Sequence, residues 1–136
     1  MGELVRSLRA QHQELAGLAE TLRAHLEPGR LEADPAATHA ALLALGGLLR
    51  THLEEEDRAF YPQALRLPGC AEVVGRFEEG MAHLRSTVEA YLMGWPDARR
   101  IAEDPEGFRN YTAAVLRVLD RRIQAEERDL FPRFAP

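Results

Sequence analysis

Apolar residues recur along the first half of this chain with the three- and four-residue spacing of amphipathic helices. They predict a first helix over residues 2–27, which Pro28-Gly29 ends. Asp34-Pro35 has the form of an N-cap followed by a first-turn proline, so a second helix is expected to begin there and to reach at least Ala59. Pro62 is expected to bend or end it, because proline removes a backbone donor and clashes with the preceding turn.

The second half repeats this organisation. Pro68-Gly69 marks the next break, and apolar spacing predicts a third helix over about 70–93. A short helix is expected within 97–103, and Asp104-Pro105 opens a fourth helix over about 105–130. Short connections favour antiparallel neighbours, so the sequence predicts one all-α domain over residues 1–136, an up-down-up-down four-helix bundle.

Composition narrows the function without identifying it. Valine, isoleucine and threonine are sparse, which disfavours a sheet, and a net charge of −5 argues against nucleic acid as a partner. No stretch approaches the roughly 20 apolar residues of a membrane helix, and no signal peptide is visible. The single cysteine excludes an internal disulfide framework. A cytoplasmic protein with no membrane partner is therefore expected.

An internal repeat carries the candidate chemistry. The eleven residues from His52 to Pro62 align without a gap on those from Arg122 to Pro132. The two halves are predicted to be similar helical hairpins over about 1–66 and 70–132. A lone histidine precedes each copy: His12 lies 40 residues before position 52 (52 − 12), and His83 lies 39 before position 122 (122 − 83).

The spacing within each copy places polar side chains together. Residues four apart share a helix face, so His52 lies beside Glu56 and Arg122 beside Glu126. Alone, each pair is typical of a solvated surface, and only the repeat singles them out. Imidazole and carboxylate ligands suit iron, manganese or zinc. The pattern therefore indicates a metal site between the helices, with His12, His52, Glu56, His83 and Glu126 as candidate ligands and no candidate catalytic residue.

The His-x-x-x-Glu arrangement and the tails that follow it, Glu-Glu-Asp-Arg-Ala-Phe-Tyr-Pro and Glu-Glu-Arg-Asp-Leu-Phe-Pro, resemble the hemerythrin-like HHE cation-binding domain over nearly the whole chain. The resemblance implies a four-helix bundle with a non-haem di-iron site, in which histidines are terminal ligands and the two glutamates bridge. It also implies oxygen binding, sensing of oxygen, redox state or nitric oxide, iron handling, or repair of damaged iron centres.

Arg122 departs from the family pattern, which has histidine at this position. Arginine stays protonated and offers a metal no lone pair. Three outcomes follow: two irons with one ligand missing, a single metal, or no metal, with the guanidinium paired to Glu56 or Glu126. Pairing is physically attractive because buried carboxylates without a cation are costly. Arg122 can also extend outward and leave the site open.

These patterns favour a non-haem iron-binding protein that acts as a sensor, carrier or iron-handling protein, with dioxygen or nitric oxide as candidate ligands. The alternative is a metal-free bundle that serves as an interaction or structural module. A third is a metal-dependent enzyme such as a weak peroxidase or oxidase, although the sequence indicates no substrate pocket. The sequence leaves open the number of metal ions, the protein partner, and whether the chain is a monomer or a homodimer.

Overall fold

Four long helices form the antiparallel bundle seen in the computed structural model, which describes residues 1–134. They are α1 (Gly2–His25), α3 (Pro35–Glu55), α5 (Ala71–Gly94) and α7 (Pro105–Ala125). A short helix precedes the second and the fourth of these long helices: α2 (Arg30–Ala33) lies before α3, and α6 (Ala98–Glu103) lies before α7. The predicted all-α bundle is confirmed, and no helix within residues 1–134 is both long and apolar enough to cross a membrane.

The two halves have matching element lengths. Both α1 and α5 have 24 residues, and both α3 and α7 have 21. Each of the latter two begins at an aspartate–proline pair. The Asp34 carboxylate accepts from the backbone of Ala37 (3.0 Å), and the Asp104 carboxylate accepts from the backbone of Gly107 (2.9 Å). These side-chain caps satisfy backbone donors that the first helical turn leaves unpaired.

Leucine, valine and aromatic side chains fill the space between the helices. The inward residues of α1 and α5 follow the same spacing, so Leu15 corresponds to Leu84 and Leu22 to Tyr91, a separation of 69 residues (84 − 15). Tyr91 is buried, and its hydroxyl shares a hydrogen bond with the hydroxyl of Thr112 (2.7 Å). The buried hydroxyl groups of this pair therefore satisfy each other within the apolar core.

Pro62, which was expected to bend or end the second helix, follows a π-helical turn, and so does Pro132 at the corresponding position of the second half. After α3 the chain widens into a π-turn at Glu56–Phe60 and continues as α4 (Tyr61–Ala64). After α7 it widens at Glu126–Leu130 and ends in a 3₁₀ turn at Phe131–Arg133. A wide turn relieves the clash between a proline ring and the carbonyl four residues earlier, so the helical path continues through Pro62.

The aspartate caps predict a stability difference. Replacing Asp104 with alanine removes the hydrogen bond to Gly107 and is expected to lower the free energy of unfolding by about 1 kcal/mol. Urea denaturation measures this loss. Glu103→Ala is the matched control, because it removes only the exposed Arg99–Glu103 ion pair and should change stability by less than about 0.5 kcal/mol. Equal effects of the two substitutions would show that the cap is energetically unimportant.

Candidate metal centre

Four polar side chains from three segments meet inside the bundle. His12 comes from the middle of α1, His52 from the last turn of α3, and Glu56 and Glu126 from the π-turns after α3 and α7. One donor atom from each lies within 4.8 Å of all the others. All four residues are at most 3% exposed, although charged side chains are almost never buried without a partner.

Both glutamates occupy the first position of a π-turn. The backbone N–H of Tyr61 bonds to the carbonyl of Glu56, and that of Phe131 bonds to the carbonyl of Glu126, so each bond spans five residues instead of four. Such turns occur often at functional sites. Here each π-turn begins at a glutamate, Glu56 or Glu126, whose side chain is buried in the core.

His52 is held with one nitrogen facing the centre. Its Nδ1 lies 2.7 Å from Oε1 of Gln11, and Nε2 of Gln11 donates to the carboxylate of Glu55 (2.7 Å). Because a carboxylate only accepts, this chain of bonds turns the Gln11 oxygen toward His52, whose Nδ1 must then carry a proton. Nε2 therefore faces the interior. Such outer hydrogen bonds are the usual way in which a protein orients a histidine that binds metal.

His12 is oriented by a second carboxylate. Its Nδ1 lies 3.0 Å from Oε2 of Glu127, and its Nε2 lies 2.8 Å from Oε1 of Glu126. The ring stacks on Phe131, with centroids 5.2 Å apart. His12 thus resembles His52 in having an outer partner at Nδ1 and an inward Nε2.

Glu56 provides the strongest indication that the cluster fits a cation. Both of its carboxylate oxygens are buried without a hydrogen bond, and so is Nε2 of His52. Glu56 Oε1 and His52 Nε2 lie only 2.5 Å apart, but their geometry does not form a hydrogen bond. Buried polar atoms normally have partners, and lone pairs that converge on one point are what a metal ion requires. The donor set therefore fits a cation.

The two carboxylate oxygens of Glu126 have different partners. Its Oε1 contacts His12 inside the cluster, whereas its Oε2 accepts from Nε of Arg122 (3.2 Å). Only one oxygen of this carboxylate is therefore available to the cluster, and the other is bound to a permanent cation. Of the two pairings considered for Arg122, the structure shows the one with Glu126.

The Arg122 guanidinium lies in a pocket formed by α5 and α4. Its NH2 group donates to the hydroxyl of Tyr61 (2.6 Å) and to the carbonyl of Phe77 (2.9 Å), and it lies over the Phe77 ring, 5.1 Å from the centroid. A Cβ at Gly80 would lie 3.0 Å from Arg122 NH1, so glycine leaves the space that this side chain needs. Arg122 is thus directed inward and does not extend into solvent.

His83 does not join the cluster. It is exposed on α5, and the inward position that corresponds to His12 is Met81, 69 residues later (81 − 12). Two residues along a helix rotate a side chain by about 200°, which takes position 83 to the opposite face. The structure therefore brings together four of the five predicted ligands, His12, His52, Glu56 and Glu126. The second half has Met81 and Arg122 where the first half has histidines.

Charge and burial shift the pKa values of the cluster in different directions. Burial disfavours a charged imidazole, but contacts with Glu126 and Glu56 outweigh it and raise the pKa of His52 to about 9. Burial, together with the charge of Glu126, raises the pKa of Glu56 to about 8. Burial also opposes ionisation of Glu126, yet contacts with His12 and His52 and the charge of Arg122 hold its pKa far below the usual range. Glu126 is therefore ionised, whereas His52 and Glu56 retain protons near neutral pH in the absence of metal.

Five residues that support the centre were not identified from the sequence. Glu127 orients His12 directly, and Glu55 orients His52 through Gln11. Their position beside the ligand glutamates was the available signal. The contact of Tyr61 with Arg122 could not be read from spacing alone. The role of Gly80 could not be predicted from the sequence, because that role depends on a side chain of the neighbouring helix.

Comparison with known proteins agrees with this geometry. A family model described as the hemerythrin HHE cation binding domain matches residues 3–134. No curated protein and no solved structure gives a significant match.

Removing the Arg122 charge tests its role in the metal-free protein. Arg122→Met leaves the buried Glu126 carboxylate without its permanent cation and is expected to lower the free energy of unfolding by about 3 kcal/mol. Urea denaturation with a chelator present measures the loss. Arg121→Met, at the exposed neighbouring position, should cost less than about 0.5 kcal/mol. An equally small cost for Arg122→Met would mean that the histidines alone compensate Glu126.

Proposed function

Because the chain belongs to the hemerythrin HHE cation-binding family, we propose that it binds a single divalent cation, iron in its working state. His12 and His52 supply inward nitrogens, and Glu56 and Glu126 supply carboxylate oxygens. This donor set suits iron, and manganese and zinc compete for it because their ligand preferences overlap. Bound iron supplies redox and small-ligand chemistry, so the proposed role is sensing of dioxygen, nitric oxide or redox state, or the handling of iron itself.

One observation supports a single ion. The Glu126 oxygen that could reach a second metal is bound by Arg122, and the guanidinium supplies a fixed positive charge at that side of the carboxylate. A second divalent ion there would meet this charge at short range in a buried setting, where repulsion is strong. It would also lack two imidazoles, because Met81 and Arg122 occupy the corresponding positions.

A metal-free structural role is the second candidate, and a specific feature favours it. In the absence of metal, Arg122 compensates Glu126, and the protonated imidazole of His52 lies against Glu56. The bundle can therefore fold without a cation. The unpartnered oxygens of Glu56 weigh against this alternative, because a bundle that never binds metal has no reason to keep two such atoms buried.

Metal content distinguishes the two candidates. Protein purified without chelator should contain about one metal ion per chain by elemental analysis, and adding the ion should raise the melting temperature because it binds only the folded state. His12→Gln should lose the metal. His83→Gln is the matched control and should retain it, since His83 is exposed and lies outside the cluster. A metal content near zero in the unmodified protein would favour the structural role.

The number of metal ions per chain can be tested by introducing the two histidines that the second half lacks. If Met81 and Arg122 are what limit the site to one ion, the double substitution Met81→His and Arg122→His should raise metal content toward two per chain. Arg122→His alone should not, because the histidine on α5 would still be missing. Two ions per chain in the unmodified protein would contradict the proposed single site.

Metal affinity should depend on pH with a definite sign. The pKa values of His52, about 9, and of Glu56, about 8, mean that both groups carry protons at neutral pH in the metal-free protein. Ligands must lose these protons, so affinity should rise from pH 6 to pH 9 by about tenfold per pH unit for each proton displaced. Competition with a chromophoric chelator measures it. An affinity independent of pH across this range would show that these two residues are not ligands.

A further inference from the structure

A cleft of about 600 Å³ opens on the surface between the start of α5 and the segment that follows α7. Its volume lies within the range of small-molecule sites, roughly 300–1,000 Å³. Three arginines line it, Arg76 from α5 and Arg128 and Arg133 from the chain after α7. Among the described residues that line it, Asp129 is the only acidic one, so these side chains carry a net charge of +2 (3 − 1) in a chain whose overall charge is −5.

Two of the guanidinium groups are not neutralised. Arg128 binds the Asp129 carboxylate through two hydrogen bonds of 3.0 Å, which compensates its charge. Arg133 donates from Nε to the backbone carbonyl of Asp129 (3.1 Å), which leaves both of its terminal nitrogens available. Within residues 1–134, no hydrogen bond or ion pair engages Arg76. A planar guanidinium with free donors is well suited to bind carboxylate or phosphate oxygens in pairs.

The remaining walls are apolar. Val73, Phe77 and Pro132 line the cleft beside the arginines. Phe77 is fixed in place, because its carbonyl accepts from Arg122 and its ring lies beneath the Arg122 guanidinium. Pockets that bind small molecules combine such apolar walls with a few polar groups that fix orientation. Here the polar groups are cationic.

The repeat provides an internal comparison. At the positions of the first half that correspond to Arg76 and Arg133, the chain has Ser7 and Gln63 (76 − 69 and 133 − 70). Both halves keep the proline, Pro62 and Pro132, although the chain continues as α4 at the first and as a 3₁₀ turn at the second. The two arginines are therefore specific to the second half and are not required by the repeat.

We propose that this cleft binds a small organic anion. Its oxyanion group, a carboxylate or a phosphate monoester, lies between Arg76 and Arg133, and its apolar body rests on Phe77 and Val73. No group of the metal centre takes part, so the proposed anion binding does not depend on whether the chain holds iron.

Titration of the full-length, ¹⁵N-labelled protein with benzoate and with phenyl phosphate tests this proposal. Either probe should shift the backbone signals of Arg76, Phe77 and Arg133 saturably, with a dissociation constant below about 1 mM. The stronger of the two identifies the preferred oxyanion. Benzyl alcohol, which has the ring without the charge, should bind at least about tenfold more weakly, and inorganic phosphate, which has the charge without the ring, should also bind more weakly.

Variants assign the effect to the two arginines. Arg76→Ser with Arg133→Gln gives the cleft the side chains of the first half and should weaken binding by about tenfold or more. Arg99→Gln with Arg117→Gln removes the same charge from exposed positions outside the cleft and should leave binding unchanged. The proposal is overturned if neither probe shifts the cleft signals, if inorganic phosphate binds as tightly as both aryl anions, or if the control pair weakens binding equally.

Discussion

The burial of two carboxylates in the centre of a helical bundle is the constraint on which the structure depends. An ionised carboxylate deep in an apolar core is very costly unless opposite charge or donors surround it. The chain meets this cost differently for each residue. Glu126 has Arg122 on one oxygen and His12 on the other, so its charge is compensated within the protein. Glu56 has only the close approach of His52, with both oxygens lacking a hydrogen bond. The unequal compensation leaves Glu56 as the carboxylate that most needs an added cation, in agreement with the proposed single site.

The two halves share a backbone but differ in side chains at the positions that face the centre. The first half has Gln11, His12, His52 and Glu55, which form a ligand pair and its outer hydrogen bonds. The second half has Gly80, Met81, Arg122 and Ala125 at the corresponding positions. These four differences are physically related: glycine provides room for the guanidinium, and without an inward histidine no glutamine or acid is needed to orient one. Arg122 is therefore an integrated part of the core.

The second half also carries positive charge on its outer surface, where Arg76 and Arg133 stand at the positions of Ser7 and Gln63 in the first. Phe77 connects the two regions, since its carbonyl and ring contact Arg122 while its side chain lines the cleft. The proposed metal centre and the proposed anion cleft would give this small bundle two ligands of opposite charge.

The sequence by itself determined the four long helices and their order, because apolar periodicity and aspartate–proline caps act locally and the burial of one face leaves few arrangements for four helices. The family followed from the resemblance of the repeated His-x-x-x-Glu motif and its tails to the HHE domain, and the family model agrees with it. The internal repeat, together with the four-residue spacing that places two side chains on one helix face, singled out His12, His52, Glu56 and Glu126, but also His83, which lies outside the cluster. Only the tertiary structure decided the rest. Whether position 81 or 83 faces inward depends on the rotation of α5 within the bundle, and a difference of two residues turns a side chain to the opposite face. The partners of Arg122 come from α4 and α5, and the spacing of residues along one helix contains no information about what a neighbouring helix presents to it.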